Sequence, residues 1–99
     1  MLRYTLRQLE VFAAVADQGS IAAAAQSLHV SESAVAGALN NLERTFGAQL
    51  AIRRKAHGIT LTTAGQNVLG RARSLLVDAV DLQLHAGGSD AEVRGSLVL

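Results

Sequence analysis

The chain has no cysteine, which excludes a disulfide framework and any thiolate-held metal. It has no apolar run near the ~18 residues needed to span a bilayer. Its first residues, Met1 to Thr5, lack the apolar core and cleavage site of a secretory signal. A cytoplasmic protein is the expectation. Aromatics are scarce as well: Tyr4, Phe12 and Phe46 are the whole supply, with Phe12 and Phe46 expected in the core. That excludes a stacking platform for single-stranded nucleic acid.

Enzyme chemistry is also missing. His29, His57 and His85 lie far apart on different elements, and there is no phosphate-cradling glycine motif or paired acid/base spacing. We expect no catalytic residue, no metal site and no cofactor. Charge of one sign is scarce overall, at a net +1. The total conceals an asymmetry. Up to Arg73, eight basic residues (Arg3, Arg7, Arg44, Arg53, Arg54, Lys55, Arg71, Arg73) face four acids (Glu10, Asp17, Glu32, Glu43), a net of +4. From Ser74 onward Arg94 faces Asp78, Asp81, Asp90 and Glu92, a net of −3. The first part suits a polyanion partner, the second something else.

What is present is helical patterning. Ninety-nine residues with 49% hydrophobic content suit one domain with a compact core. A first helix is expected from Thr5 to Gln18: Thr5-Leu-Arg-Gln8 fits a capping box, Leu6, Leu9, Phe12, Ala13 and Ala16 form an apolar stripe, and Gly19 ends it. Ser20 then caps an alanine-rich segment. Ser31 caps a third, in which Val35, Leu39, Leu42 and Phe46 recur at helical spacing. Ala24 and Ala25 allow a close helix crossing, and Leu28 and Val30 bracket a tight turn. The pair reads as a helix-turn-helix, or as two packed helices of a small bundle. In the first reading Ser33, Ala36, Gly37, Asn40 and Arg44 point outward and the Ser31–Ser33 turn leads toward a major groove.

Two short apolar arms within Leu50–Leu61 flank a basic tip carrying Arg53, Arg54, Lys55 and His57, closed by Gly58. They read as a two-stranded wing, against a plain solvated loop. A long helix follows from Thr62 or Thr63, where Thr63-Ala-Gly-Gln66 offers another capping box, to about His85. Its apolar face (Val68, Leu69, Ala72, Leu75, Leu76, Ala79, Val80, Leu84) is longer than the compact part can cover. The same helix of a second copy is the simplest cover. Gly65 and Gly70 either permit close packing or only weaken this helix. After Gly87-Gly88 the chain is linker-like and ends in Leu97-Val98-Leu99, which reads as the start of a strand and gives the sequence a truncated look. The fold class is mainly α: a winged helix-turn-helix with a two-stranded β-wing (1–61), a long linker or dimerisation helix (62–86), then a hinge and first strand (87–99).

Leu6-Arg-Gln-Leu9, Phe12, Gly19-Ser-Ile21, Ala24-Ala25, Leu28-His-Val30-Ser31, Leu42-Glu43, Gly47, Leu50, Arg53, Leu61-Thr62 and Ala64-Gly65 form an ordered set. The set resembles the N-terminal domain of LysR-type transcriptional regulators over about Leu6 to His85. The resemblance implies a homodimer joined through its linker helices, bound to double-stranded DNA with no role for a membrane. Full-length members are often tetramers that carry a C-terminal domain for a small-molecule effector, of which Gly95–Leu99 resembles only the first strand. Carried over by position, Ser31, Glu32, Ser33, Gly37 and Asn40 face the bases, and Arg7, Ser20, Arg53 and Thr62 meet the DNA backbone; from its own charge beside Arg53, Arg54 is expected to join the backbone contacts. Leu69, Ala72, Leu76, Ala79 and Val80 form the dimer interface. The chain departs from the family at Glu32-Ser33, where Gln-Pro is usual; at Gly37, where many have a long polar residue; at Ala51, where phenylalanine is common; and in a wing one residue longer. Glu32 accepts from cytosine N4 in one reading and serves only its own helix N-terminus in the other. The weakly charged recognition helix also keeps open a different class, an interaction module with little DNA affinity.

Overall fold

The structure is a computed structural model and describes residues 1–54 and 58–86. Lys55, His57 and the expected hinge and strand at 87–99 lie outside the described residues. Among the described residues, four helices and one antiparallel hairpin follow in the order α1 (Leu6–Gln18), α2 (Ile21–Leu28), α3 (Glu32–Phe46), β1 (Ala51–Arg54), β2 (Gly58–Leu61) and α4 (Thr63–His85). No helix among them is long and apolar enough to cross a membrane.

Local chemistry starts each helix. The Thr5 hydroxyl accepts from the Gln8 amide at 3.0 Å while Gln8 Oε1 accepts from the Thr5 amide at 3.0 Å, a complete capping box. Ser20 and Ser31 accept from the amides of Ala23 and Ala34, each at 3.0 Å. Gly19 and Gly47 close α1 and α3 in the left-handed region. His29 ends α2 at φ 58, a conformation usually left to glycine or asparagine. It turns the chain sharply enough that α3 leaves at a new angle.

α1 is the central element, and this widens its buried arc beyond the single expected stripe. It packs on α2, α3 and α4, so Val11 and Val15 are buried together with Leu9 and Phe12. Leu6, expected in the stripe, is 48% exposed because the first turn overhangs the body; Ala13 and Ala16 are half-buried. Two cores result. Leu9, Phe12, Leu39, Leu42, Leu50, Ala51 and Ala72 form one, and Val11, Val15, Ala24, Ala25 and Val35 the other. Phe46 is a second correction. It lies past the end of the core with its ring edge-on to Tyr4 at 5.3 Å, and it remains 36% exposed.

The wing pairs Ala51 with Leu61, Ile52 with Thr60, Arg53 with Ile59 and Arg54 with Gly58. At one end the Ile59 amide donates to the Gly19 carbonyl at 2.8 Å, so the hairpin leans on the α1–α2 turn. At the other end Leu50 is held from three directions. Its amide donates to Glu43 Oε2 at 2.8 Å, its carbonyl accepts from the Thr62 amide at 3.0 Å, and its side chain is fully buried. The cap of α4 is Thr62, which accepts from the Gly65 amide at 2.9 Å, so the alternative box from Thr63 does not form.

Gly65 packs against the Leu50 carbonyl so closely that a β-carbon there would overlap the oxygen. This first part of α4 is welded to the body. Ala72, expected in a dimer interface, is 1% exposed and is spent on its own subunit's core; Leu69 and Leu76 are partly buried against that core too. The remainder projects. At 23 residues α4 is about 34 Å long, and Leu75, Val77, Val80, Leu82 and Leu84 are 43–67% exposed.

Gly65 and Gly70 separate cleanly on this geometry, since a β-carbon at Gly70 meets nothing within 4 Å. Gly65→Ala is expected to destabilise the fold by about 3 kcal/mol or more through overlap with rigid backbone. Gly70→Ala is expected to stabilise it by up to about 1 kcal/mol. Denaturant midpoints of the two variants check the opposite signs.

Candidate nucleic-acid interface

α3 is amphipathic in the useful sense. Val35, Leu39 and Leu42 are buried, while Ser31, Glu32, Ser33, Gly37, Asn40 and Arg44 are exposed along its other side. The helix therefore presents a mainly polar face, led by an N-terminus that Ser31 caps. The sequence-expected base-facing set is thus gathered on one surface. Glu32 is the acidic residue of the first turn, where the helix dipole favours it, and forms no ion pair among the described residues.

The expected backbone-contact set surrounds that face in unequal ways. Arg53 and Arg54 are exposed on β1, and Arg53 reaches across to α3: its guanidinium donates to Asn40 Oδ1 at 3.3 Å. This joins a residue expected on the backbone to one expected on the bases. Arg7 stands in the first turn of α1 with Glu10 at 3.6 Å, both about half exposed, an ion pair too solvated to hold the arginine away from a phosphate. Ser20 is half-buried beside Gly58, and its hydroxyl, accepting in the cap, retains a proton to donate. Thr62 is more committed. Its hydroxyl donates to the Gln49 carbonyl at 2.6 Å as well as accepting from Gly65, so its first duty is to seat α4.

Two residues that position this surface, Glu43 and Asn41, were given no such role by the sequence. The Glu43 carboxylate accepts from the Leu50 and Ala51 amides at 2.8 and 3.2 Å and thereby fixes the wing against α3. Asn41 donates to the Arg3 carbonyl at 3.3 Å and to Gln8 Oε1 at 3.0 Å, tying α3 to the start of α1. An acid and an amide in the last turns of a helix, just before a glycine stop and a strand, are the available signal. It does not say which distant amide each one serves. Among the described residues no cluster of His, Asp and Glu is arranged to hold a metal ion.

Residues 6–66 match the bacterial regulatory helix-turn-helix proteins of the lysR family. The chain is 44% identical over 90 residues to the HTH-type transcriptional regulator TfdT of Cupriavidus pinatubonensis, covering 91% of this chain and 38% of TfdT. It is 42% identical over 93 residues to the regulator YofA of Bacillus velezensis, covering 90% of this chain and 32% of YofA. The chain thus spans about a third of the length of these relatives. Among solved structures it is similar to the CbnR DBD–DNA complex, with 39% identity, a TM-score of 0.79, and coverage of 83% of this chain and 93% of that one. It is also similar to the hydrogen-peroxide-bound C206S mutant of OxyR from Corynebacterium glutamicum, with 33% identity, a TM-score of 0.82, and coverage of 91% and 29%. The chain belongs to the lysR family of bacterial regulatory helix-turn-helix proteins, and its helices and wing are that family's DNA-binding domain.

Proposed function

We propose that this domain binds an inverted repeat in duplex DNA as a symmetric homodimer and in that way regulates transcription in the cytoplasm. Each protomer lays α3 in a major groove with Ser31, Glu32, Ser33, Gly37 and Asn40 toward the bases. Arg7, Ser20, Arg53 and Arg54 attend to the flanking backbone, with the wing over the adjoining phosphates or minor groove; Thr62, expected among them, has given its hydroxyl proton to the Gln49 carbonyl and serves by seating α4. The observation that carries this reading is the division of α3 into a fully buried face and an exposed, capped, polar one with two arginines beside it. The similarity to the DNA complex of CbnR supports the choice of partner. The projecting half of α4 is the dimer element, formed by Ala79 and Val80 with the exposed parts of Leu69, Leu75 and Leu76.

A fluorescently labelled duplex carrying a selected inverted repeat, titrated beside a scrambled one at two salt concentrations, tests the reading; equal and salt-independent binding would sink it. Arg53→Ala should weaken every duplex and lower the log–log salt slope by about 1, since one phosphate contact is lost. Glu32→Gln should shift preference at one base pair by about 1–3 kcal/mol if the carboxylate reads cytosine N4. A uniform gain on all sequences would instead assign Glu32 to charge repulsion. Val80→Glu, placed where the side chain is 53% exposed in the monomer, should leave the fold intact, halve the mass seen by sedimentation and abolish preference for paired half-sites.

A further inference from the structure

Most glycines near the candidate interface have a reason inside the chain. Gly19, Gly47 and Gly58 occupy positive φ, and Gly65 lies against the Leu50 carbonyl. Gly37 has neither reason. It sits in the middle of α3, exposed, and a β-carbon built on it meets nothing within 4 Å. Glycine is among the poorest residues for a helix interior, so α3 gives up stability here with nothing gained within the protomer. Any compensation lies with what docks on that face.

Ser33, Gly37, Asn40 and Arg44 share one stripe of α3, since they follow one another at three- and four-residue steps. Gly37 is therefore a gap at the centre of a polar row. Asn40 bounds it on one side, its carboxamide oxygen taken by Arg53 at 3.3 Å, and Ser33 bounds it on the other. The chemistry of the gap is restrictive. A glycine inside a helix has its N–H and C=O committed to the helical ladder and offers only Cα hydrogens outward. The group that fits such a gap without needing a hydrogen-bond partner is small and apolar. The apolar group that base edges project into the major groove is the C5 methyl of thymine.

We propose that the gap at Gly37 receives a thymine methyl, which makes Gly37 a specificity-determining position of the DNA-reading surface. This inference rests on the DNA-binding reading above and names the base feature recognised at the centre of α3. A longer side chain at this position would occupy the same space and exchange methyl recognition for a contact of its own.

The test uses duplexes recovered by affinity selection from a randomised library, remade with single thymine-to-deoxyuridine replacements that remove only the methyl. The unsubstituted protein should lose about fourfold in affinity at one position of each half-site, the equivalent of one buried methyl group. Gly37→Leu should bind the thymine duplex more weakly and be indifferent to deoxyuridine at that position. It should also melt at higher temperature than the unsubstituted protein, so unfolding cannot account for the lost affinity. Indifference of the unsubstituted protein to deoxyuridine at every thymine overturns the inference, as does a Gly37→Leu variant that keeps the methyl preference; both leave the DNA-binding reading intact. Failure to recover any preferred duplex overturns both together.

Discussion

The structure turns on Leu50. Its side chain is fully enclosed by α1, α3 and α4, and both of its backbone groups are taken, the amide by Glu43 and the carbonyl by Thr62. Gly65 then seats α4 against that carbonyl with no room for a side chain. One residue thus joins the recognition helix, the wing and the long helix. A hydrogen bond to a charged acceptor contributes about 1.5–3 kcal/mol, and a buried leucine a similar amount through apolar area. Neither is large alone, but together they fix three elements relative to one another. The second anchor of the wing, Ile59 on Gly19, has less to hold because β2 is only half-buried.

The distribution of side chains over the candidate interface is uneven. Cationic groups stand at its margins: Arg7 on α1, Arg53 and Arg54 on β1. The centre of α3 is neutral or acidic and built from short side chains. Charge attraction to phosphates is indifferent to sequence, whereas contact with base edges depends on fit. In the proposed complex, cations on the rim with a low-relief centre would separate affinity from selectivity in space. The Asn40–Arg53 hydrogen bond is where the two zones touch, since it joins a side chain of α3 to a cation of the wing.

Much of this was legible in the sequence because it is local. Thr5, Ser20 and Ser31 announce their caps through side chains that bond three residues ahead, and each forms the bond expected of it. Alternation around Gly58 marks the hairpin, and the apolar period carries α4 to His85. What the sequence hid depends on what lies opposite. Leu6 and Phe46 have the right spacing for a core yet stand where their neighbours cover them only in part. Ala72 has the right spacing for a partner yet is covered by its own chain. Periodicity tells which side of a helix is apolar and not how far along it the cover extends. Glu43 was hidden for a related reason, since its partners are backbone amides that carry no residue signature.

The division of α4 has a mechanical consequence. Its first half cannot tilt without driving Gly65 into the Leu50 carbonyl or drawing Ala72 out of the core, so it moves with α3 as one body. The Arg73–Asp17 pair at 2.6 Å adds a further tie between α4 and the end of α1, although both groups are more than half exposed and the pair contributes little. The second half continues the same helix beyond the body, with leucines and valines exposed along it. Whatever grips this projecting half therefore sets the orientation of α3 directly, with no flexible joint between them among the described residues. In a pair of such protomers the separation of the two recognition helices would be a property of helix packing. The spacing of half-sites that the pair accepts would then be fixed before DNA is met.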